Sequence, residues 1–455
     1  MTRPRPTRQR SGLLVLVLCF VTIVFDGYDL VVYGSTVPTL IAYEGWDLDT
    51  GSAGLIGSLA LVGMLLGTLS VGLVTDRFGR RRIMIGSIAW FSVCMLATAF
   101  APNEVVFGVL RFLTGIGLGG VVPTCIALTV EFAPKSRRQI SNAVMFSGYS
   151  VGGVGAALLA IALLPETDFR VLYALGALPL ITLLPIVVRY LPESVSYLAA
   201  TGREDEARDV AARHGLVYDD IVAPVPAAAA VGAVDTAPAV SSMRELFTPR
   251  WRRSTLLFAA ANFCGLLLVY GLNTWLPQIM RSAGFALGSS LAFLLVLNLG
   301  AIVGAISASF VADRIGVQKV VTASFLLACV AIFLISLNLP AGLLFLLVAV
   351  AGLGSVGTQI LVGGFCATHY PQKLGATALA WSLGVGRIGA ICGPLLGGLI
   401  AGWAMGYQVS FYAFAAVAVV GALVVGSIRT QNRQDPIGSP KSPATISPTA
   451  STQTG

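Results

Sequence analysis

Two carboxylates interrupt an apolar run near the start of the chain. Asp26 and Asp29 lie in Phe25-Asp26-Gly27-Tyr28-Asp29-Leu30, inside a stretch from Leu13 to Val37 that carries no other charge. That stretch is long enough to cross a bilayer. An ionisable side chain at membrane depth costs at least about 2.5 kcal/mol on insertion scales, so a pair of them marks a polar pathway. At about 100° per residue the two acids lie about 60° apart on a helix, and Tyr33 returns to within about 20° of Asp26. The three form one polar stripe, which must face protein or water. Two arginines, Arg111 and Arg387, also fall inside apolar runs. Such a set suits the carriage of a small anion together with a proton. The planar fork of arginine grips a carboxylate through two parallel hydrogen bonds and never loses its charge, and Arg387 is the first choice for that contact. Carrying an anion inward against a negative-inside potential costs about 2.3 kcal/mol per 100 mV, which a co-transported proton cancels. Asp26 and Asp29 supply proton sites that should titrate as a unit.

The elements that must position these residues are membrane spans. The 455 residues are 56% hydrophobic and only 11% charged, with a mean hydropathy of +0.84, far outside the range of soluble domains. The fold class expected is an all-α polytopic membrane protein with twelve apolar runs, the first at about 13–37 and the last at about 407–428. A net charge of +8 and a pI near 9.3 do not point to nucleic acid, because the basic residues sit in short connections between apolar runs. Apart from Arg111 and Arg387 within spans and Arg170 and Arg281 on the other side, they occupy the tails, the central segment and the loops after even-numbered spans. The positive-inside rule then places both termini in the cytoplasm of a multi-pass cell-membrane protein. The seven cysteines fall inside spans without a close pair or ligand spacing, so neither a metal nor a cofactor is expected. The first span, too long for a signal peptide and carrying two acids, is expected to remain uncleaved.

The organisation expected is a six-span N-terminal half at 1–191, a central cytoplasmic segment at 192–253, a six-span C-terminal half at 254–428 and a tail at 429–455 whose composition is that of disorder. Within the central segment, Gly202 to His214 is expected to form a charged amphipathic helix at the membrane surface, and 223–240, rich in Ala, Pro and Val, to be a flexible linker. The halves are repeats at an offset of 237 residues: Tyr33-Gly34 recurs as Tyr270-Gly271, Gly63 and Gly67 as Gly300 and Gly304, and Asp76-Arg77-x-Gly79 as Asp313-Arg314-x-Gly316. Repeated halves with a midplane site between them are a recognised transporter plan. At the same offset Asp26 becomes Phe263 and Asp29 becomes Leu266, so the acidic stripe belongs to the first half alone.

The loop Gly72-Leu-Val-Thr-Asp76-Arg77-Phe-Gly79-Arg80-Arg81-Arg82, with its weaker copy at Asp313-Arg314, resembles the signature between helices 2 and 3 of the major facilitator superfamily. Arg111 followed by Gly115, Gly117 and Gly119, then Glu131-x-x-Pro134 with Arg137 and Arg138, and Leu191-Pro192-Glu193-Ser194 are similar to further patterns of that superfamily. Asp-Gly-Tyr-Asp in span 1 and Gly386-Arg387-Ile-Gly389 in span 11 resemble the aromatic acid:proton symporters, and Tyr270-Gly271-Leu272-Asn273-Thr274-Trp275-Leu276-Pro277 resembles their benzoate branch. The resemblance implies proton-coupled uptake of a small aromatic carboxylate such as benzoate or a hydroxybenzoate by alternating access. Proton coupling falls to Asp26, Asp29 and Arg111. The substrate site is expected to comprise Arg387, Asp29, Tyr33, Tyr149, Asn273, Trp275 and Trp381. Asp76, Arg77, Arg81, Glu131, Arg138, Asp313 and Arg314 are expected to form a cytoplasmic gate whose charge pairs latch one conformation. The second-half loop departs from the pattern, with Val317-Gln318-Lys319 in place of three arginines. His369, at the end of span 10, is an alternative proton carrier. The protein is expected to work as a monomer, with no chemical catalysis and no nucleotide-binding loop. A proton antiporter that expels small organic compounds, and a receptor that binds an aromatic acid without moving it, are the competing readings.

Overall fold

The computed structural model describes residues 9–134, 137–222, 243–337, 339–403 and 405–428; the stretch 223–240 and the tail from 429, for which a linker and disorder are expected, lie outside them. The described residues are helical and contain no strand, as a backbone in lipid requires, since a helix satisfies its own N–H and C=O groups. The spans are α1 (Gln9–Ile41), α2 (Thr50–Phe78), α3 (Arg80–Ala99), α4 (Glu104–Phe132), α5 (Arg138–Leu163), α6 (Arg170–Tyr190), α7 (Arg252–Ser282), α8 (Leu287–Ile315), α9 (Val317–Ile335), α11 (Gln372–Ala401) and α12 (Gln408–Gly426). Between α9 and α11, α10 runs through Ala341–Gly352, a π-helical turn at Leu353–Gly357 and Thr358–His369. Eleven of these helices are long and apolar enough to cross a membrane unaided, and α10 becomes so once its two pieces are joined.

Local chemistry sets the ends. Asp49 accepts from the Ser52 N–H at 2.8 Å and Asn103 from the Val106 N–H at 2.9 Å, capping α2 and α4, where the first turns have unpaired N–H groups. Gly79 (φ 84°) and Gly316 (φ 94°) make the sharp turns into α3 and α9. They are the same position of the repeat (316 − 79 = 237), and a positive φ is a conformation that glycine alone adopts without strain.

The two interruptions also coincide under the repeat. α4 is broken at Gly120, between Glu104–Gly119 and Val121–Phe132, and the π turn of α10 ends at Gly357, again 237 residues on (357 − 120). Close backbone approach accompanies both. A Cβ at Gly117 would lie 3.0 Å from the Phe91 nitrogen, and one at Gly354 would lie 2.5 Å from the Ser324 carbonyl. Small residues are what allow helices to pack this tightly in lipid.

The six-helix halves touch through α1 with α7, α2 with α11 and α5 with α8. Close contacts lie toward the Thr50 end of α2. A Cβ at Gly54 would stand 2.7 Å from the Pro394 carbonyl and 3.0 Å from the Gly398 Cα, and the Ser58 hydroxyl donates to the Ile391 carbonyl at 2.7 Å. Gly34 of α1 lies so near the Asn273 carbonyl of α7 that no Cβ fits. At the opposite end Asp76, Arg77, Asp313 and Arg314 are all exposed. The molecule is therefore sealed on the face away from the α2–α3 turn.

After α6, short helices at Val195–Ala200, Glu204–His214 and Tyr218–Val222 pack on one another. The charged helix buries Ala207 and Ala211 against Val195 and Leu198, and the His214 ring meets Phe132 edge-on at 5.3 Å. Its apolar side faces protein, where the sequence suggested a membrane surface.

Candidate functional site

α1 brings both acids to the junction of the halves, and the structure gives them different partners. Asp29 forms a buried ion pair with Arg111 of α4. The Arg111 guanidinium is enclosed by the rings of Tyr33 and Tyr173, at 5.3 and 5.9 Å from their centroids, an arrangement that favours a desolvated cation. Tyr173 is itself held by Thr36, hydroxyl to hydroxyl at 2.8 Å. Asp26 has no ion pair among the described residues; it accepts from the Tyr149 hydroxyl of α5 at 2.5 Å. Gly27 makes that possible, because α1 and α5 approach so closely there that a Cβ would collide with the Tyr149 backbone.

Asp26, Asp29, Tyr33, Arg111 and Tyr149 line one cavity with Leu30, Leu61, Met64 and, from α7, Tyr270 and Thr274. Its free space is about 30 Å³, enough for a water molecule and too little for a six-membered ring. Arg387 of α11 abuts the cavity. Its guanidinium lies 3.1 Å from the Met64 sulfur and stands near the Tyr270, Tyr149 and Asp26 side chains. No carboxylate stands within ion-pair distance of Arg387 among the described residues, whereas Arg111 is already neutralised. Arg387 is thus the cation at this cavity with charge to offer an incoming anion.

Of the expected substrate residues, Asp29, Tyr33 and Tyr149 line the cavity and Arg387 borders it. Asn273, Trp275 and Trp381 stand elsewhere. Asn273 accepts from the Asn298 amide at 3.1 Å, tying α7 to α8. The Trp275 indole donates to the Pro394 carbonyl at 2.7 Å and is fully buried against α11. Trp381 packs edge-on against Phe247 at 5.3 Å. Six residues separate it from Arg387, which turns it about 120° round the helix. Tyr270 and Thr274 are the wall residues that sequence reasoning left out, although Tyr270 is the repeat partner of Tyr33 and Thr274 lies about 40° from it on α7.

Among the described residues the expected gate residues are not paired across the halves. Glu131 accepts from Arg80 at 2.7 Å, from the Ser194 hydroxyl at 2.7 Å and from the Val195 N–H, joining the end of α4 to the helix after α6. Arg81 donates to the Val188 carbonyl at 2.5 Å, and the Arg138 Nε is buried without a partner among the described residues. His369 meets the Ser254 hydroxyl at 3.1 Å within a nest of aromatic rings, away from the acids.

A twelve-helix bundle of two repeats that holds ionisable groups between its halves has the architecture of a membrane transporter. The family model described as Major Facilitator Superfamily matches residues 19–313 and 294–453, and the chain belongs to that superfamily: it is a multi-pass membrane transporter and not an enzyme. It is 34% identical to the benzoate transport protein of Acinetobacter baylyi over 431 residues, covering 93% of this chain and 90% of that one. It is 37% identical to the gentisate transporter of Corynebacterium glutamicum over 406 residues, covering 89% and 84%. Among solved structures, the inward open conformation of the xylose transporter XylE from E. coli aligns with a TM-score of 0.72 over 93% of this chain and 97% of that one, at 15% identity.

Proposed function

We propose that the protein takes up a small aromatic carboxylate together with a proton. The observation that carries this reading is the division of charge at the cavity: one acid–arginine pair closed on itself, and beside it an unpaired acid and an unpaired arginine, Asp26 and Arg387. The substrate carboxylate docks on Arg387, and its ring lies between Tyr149, Tyr270 and Tyr33, whose faces and edges suit an aromatic partner. Asp26, no longer favoured as a carboxylate once the arriving anion neutralises Arg387, takes the proton, so that the loaded site carries no added charge across the membrane. Asp29 and Arg111 keep the neighbouring wall neutral. The names of the related benzoate and gentisate transporters support the substrate class. Both termini lie in the cytoplasm of the cell membrane, and Asp76, Arg77, Arg81, Arg138, Asp313 and Arg314 gate that side in a monomer.

The test is uptake into proteoliposomes with an imposed pH gradient, competed by benzoate, hydroxybenzoates, protocatechuate and gentisate. Accumulation driven by an acidic exterior and blocked by at least one of these acids is expected. Accumulation driven only by an acidic interior would assign an exporter instead.

A further inference from the structure

A second cavity, of about 140 Å³, lies at the α2–α3 turn between Phe78, Arg81, Arg82, Glu193, Tyr197 and Arg203. It is far from the acids of α1 and has a different chemistry. Glu193 is turned toward backbone, accepting from the N–H groups of Arg81 and Ser194 at 3.0 and 2.9 Å. Arg203 is held by Glu206. Arg82 is exposed and has no ion pair among the described residues.

The repeat shows that the charge here exceeds what the fold needs. Arg81 donates to the Val188 carbonyl at the end of α6. Its counterpart Gln318 (318 − 81 = 237) donates to Val425 at the end of α12, at 3.0 Å, and 425 − 188 is again 237. A neutral amide therefore makes the same helix-end tie. Arg81 adds a guanidinium whose Nε is buried without a partner among the described residues. Arg82 stands where the second half has Lys319. Beside the cavity, Phe78, Val188 and Tyr190 are exposed at 45%, 45% and 53%, at the ends of spans where acyl chains begin.

We propose that this cavity binds the phosphate of an anionic phospholipid headgroup, with the acyl chains lying along Phe78 and Tyr190. A compact anion fits its volume, the arginines supply the hydrogen bonds, and basic pockets at the ends of transmembrane helices bind such headgroups. The lipid would tie the α2–α3 turn to the helices after α6.

The full-length protein in phosphatidylcholine nanodiscs doped with phosphatidylglycerol, followed by delipidation and native mass spectrometry, tests this. Wild type should retain phosphatidylglycerol in preference to phosphatidylcholine. Arg81→Gln with Arg82→Gln should weaken that retention by about twentyfold or more, at roughly fivefold for each arginine near an anionic lipid. Equal retention of both lipids by wild type, or unchanged preference in the double variant, would overturn the proposal. So would wild type in pure phosphatidylcholine that binds inorganic phosphate through these arginines while retaining no phosphatidylglycerol, since the site would then serve a free anion. The wild-type comparison needs no variant to fold.

Discussion

Asp29 and Arg111 neutralise each other, so the two acids of α1 have different partners despite their spacing. The sequence placed them on one stripe and suggested joint titration; the structure hands one to an arginine and the other to a tyrosine hydroxyl. Asp26→Asn should therefore abolish accumulation on a pH gradient while substrate exchange across the membrane survives, and exchange should lose its dependence on pH. Uphill uptake by Asp26→Asn with an unchanged pH profile would remove Asp26 from the coupling. Asp29→Asn should behave differently, because it leaves Arg111 buried without its partner, a loss of about 3–5 kcal/mol. The expected result is a lowered unfolding temperature, partly restored in Asp29→Asn with Arg111→Gln. Arg387→Lys should retain its charge and lose the fork. Forfeiting one charge-assisted hydrogen bond of about 1.5 kcal/mol weakens carboxylate binding by roughly tenfold. Equilibrium binding to the purified variant measures this, and normal affinity would point to a different cation.

Helices impose the limits on what could be read ahead of the structure. Twelve spans, the repeat and the acidic stripe were legible because hydropathy, an exact offset and isolated charges survive in a single sequence. The direction of each apolar helix was not. A span that is apolar all round carries no amphipathic signal, so Trp275 and Trp381 gave no sign of pointing into α11 packing and onto Phe247. Thr274, on the Tyr270 face, was not assigned to the site for the same reason. The π turn in α10 was hidden too, although its glycines repeat those of α4. Element packing yields its own prediction at Gly398, where a Cβ would lie 2.6 Å from the Thr50 carbonyl and 2.9 Å from the Gly54 Cα. Gly398→Leu should prevent α2 and α11 from closing and so depopulate the state seen here. A cysteine at Ser58, which is buried in this contact, should then react faster with a membrane-impermeant maleimide than in the Gly398 background. No change in its rate would mean that this contact is not part of the seal.

For the molecule as a whole, a cavity of about 30 Å³ between sealed helices means that transport requires the halves to rearrange. Either the cavity opens to admit a ring or the sealed face separates, and the repeat supplies a ruler for the motion. Val74 near the end of α2 and Val311 near the end of α8 are both exposed and occupy the same position of the two halves (311 − 74 = 237). Spin labels on Val74→Cys and Val311→Cys, in a background freed of native cysteines, should report two distances. One belongs to the present state, in which Asp76 and Asp313 are exposed and pair with nothing across the halves. The shorter belongs to the alternate state, in which that end closes, and where the charges of the α2–α3 turn have partners to find. Acidic pH with substrate should enrich the short distance, because a neutral loaded site is free to be enclosed. Asp76→Asn should deplete it while leaving equilibrium substrate affinity within a few-fold, since it biases the conformations and not the pocket. Loss of affinity in folded Asp76→Asn, or one distance unmoved by substrate, pH and mutation, would remove the turn from the gate.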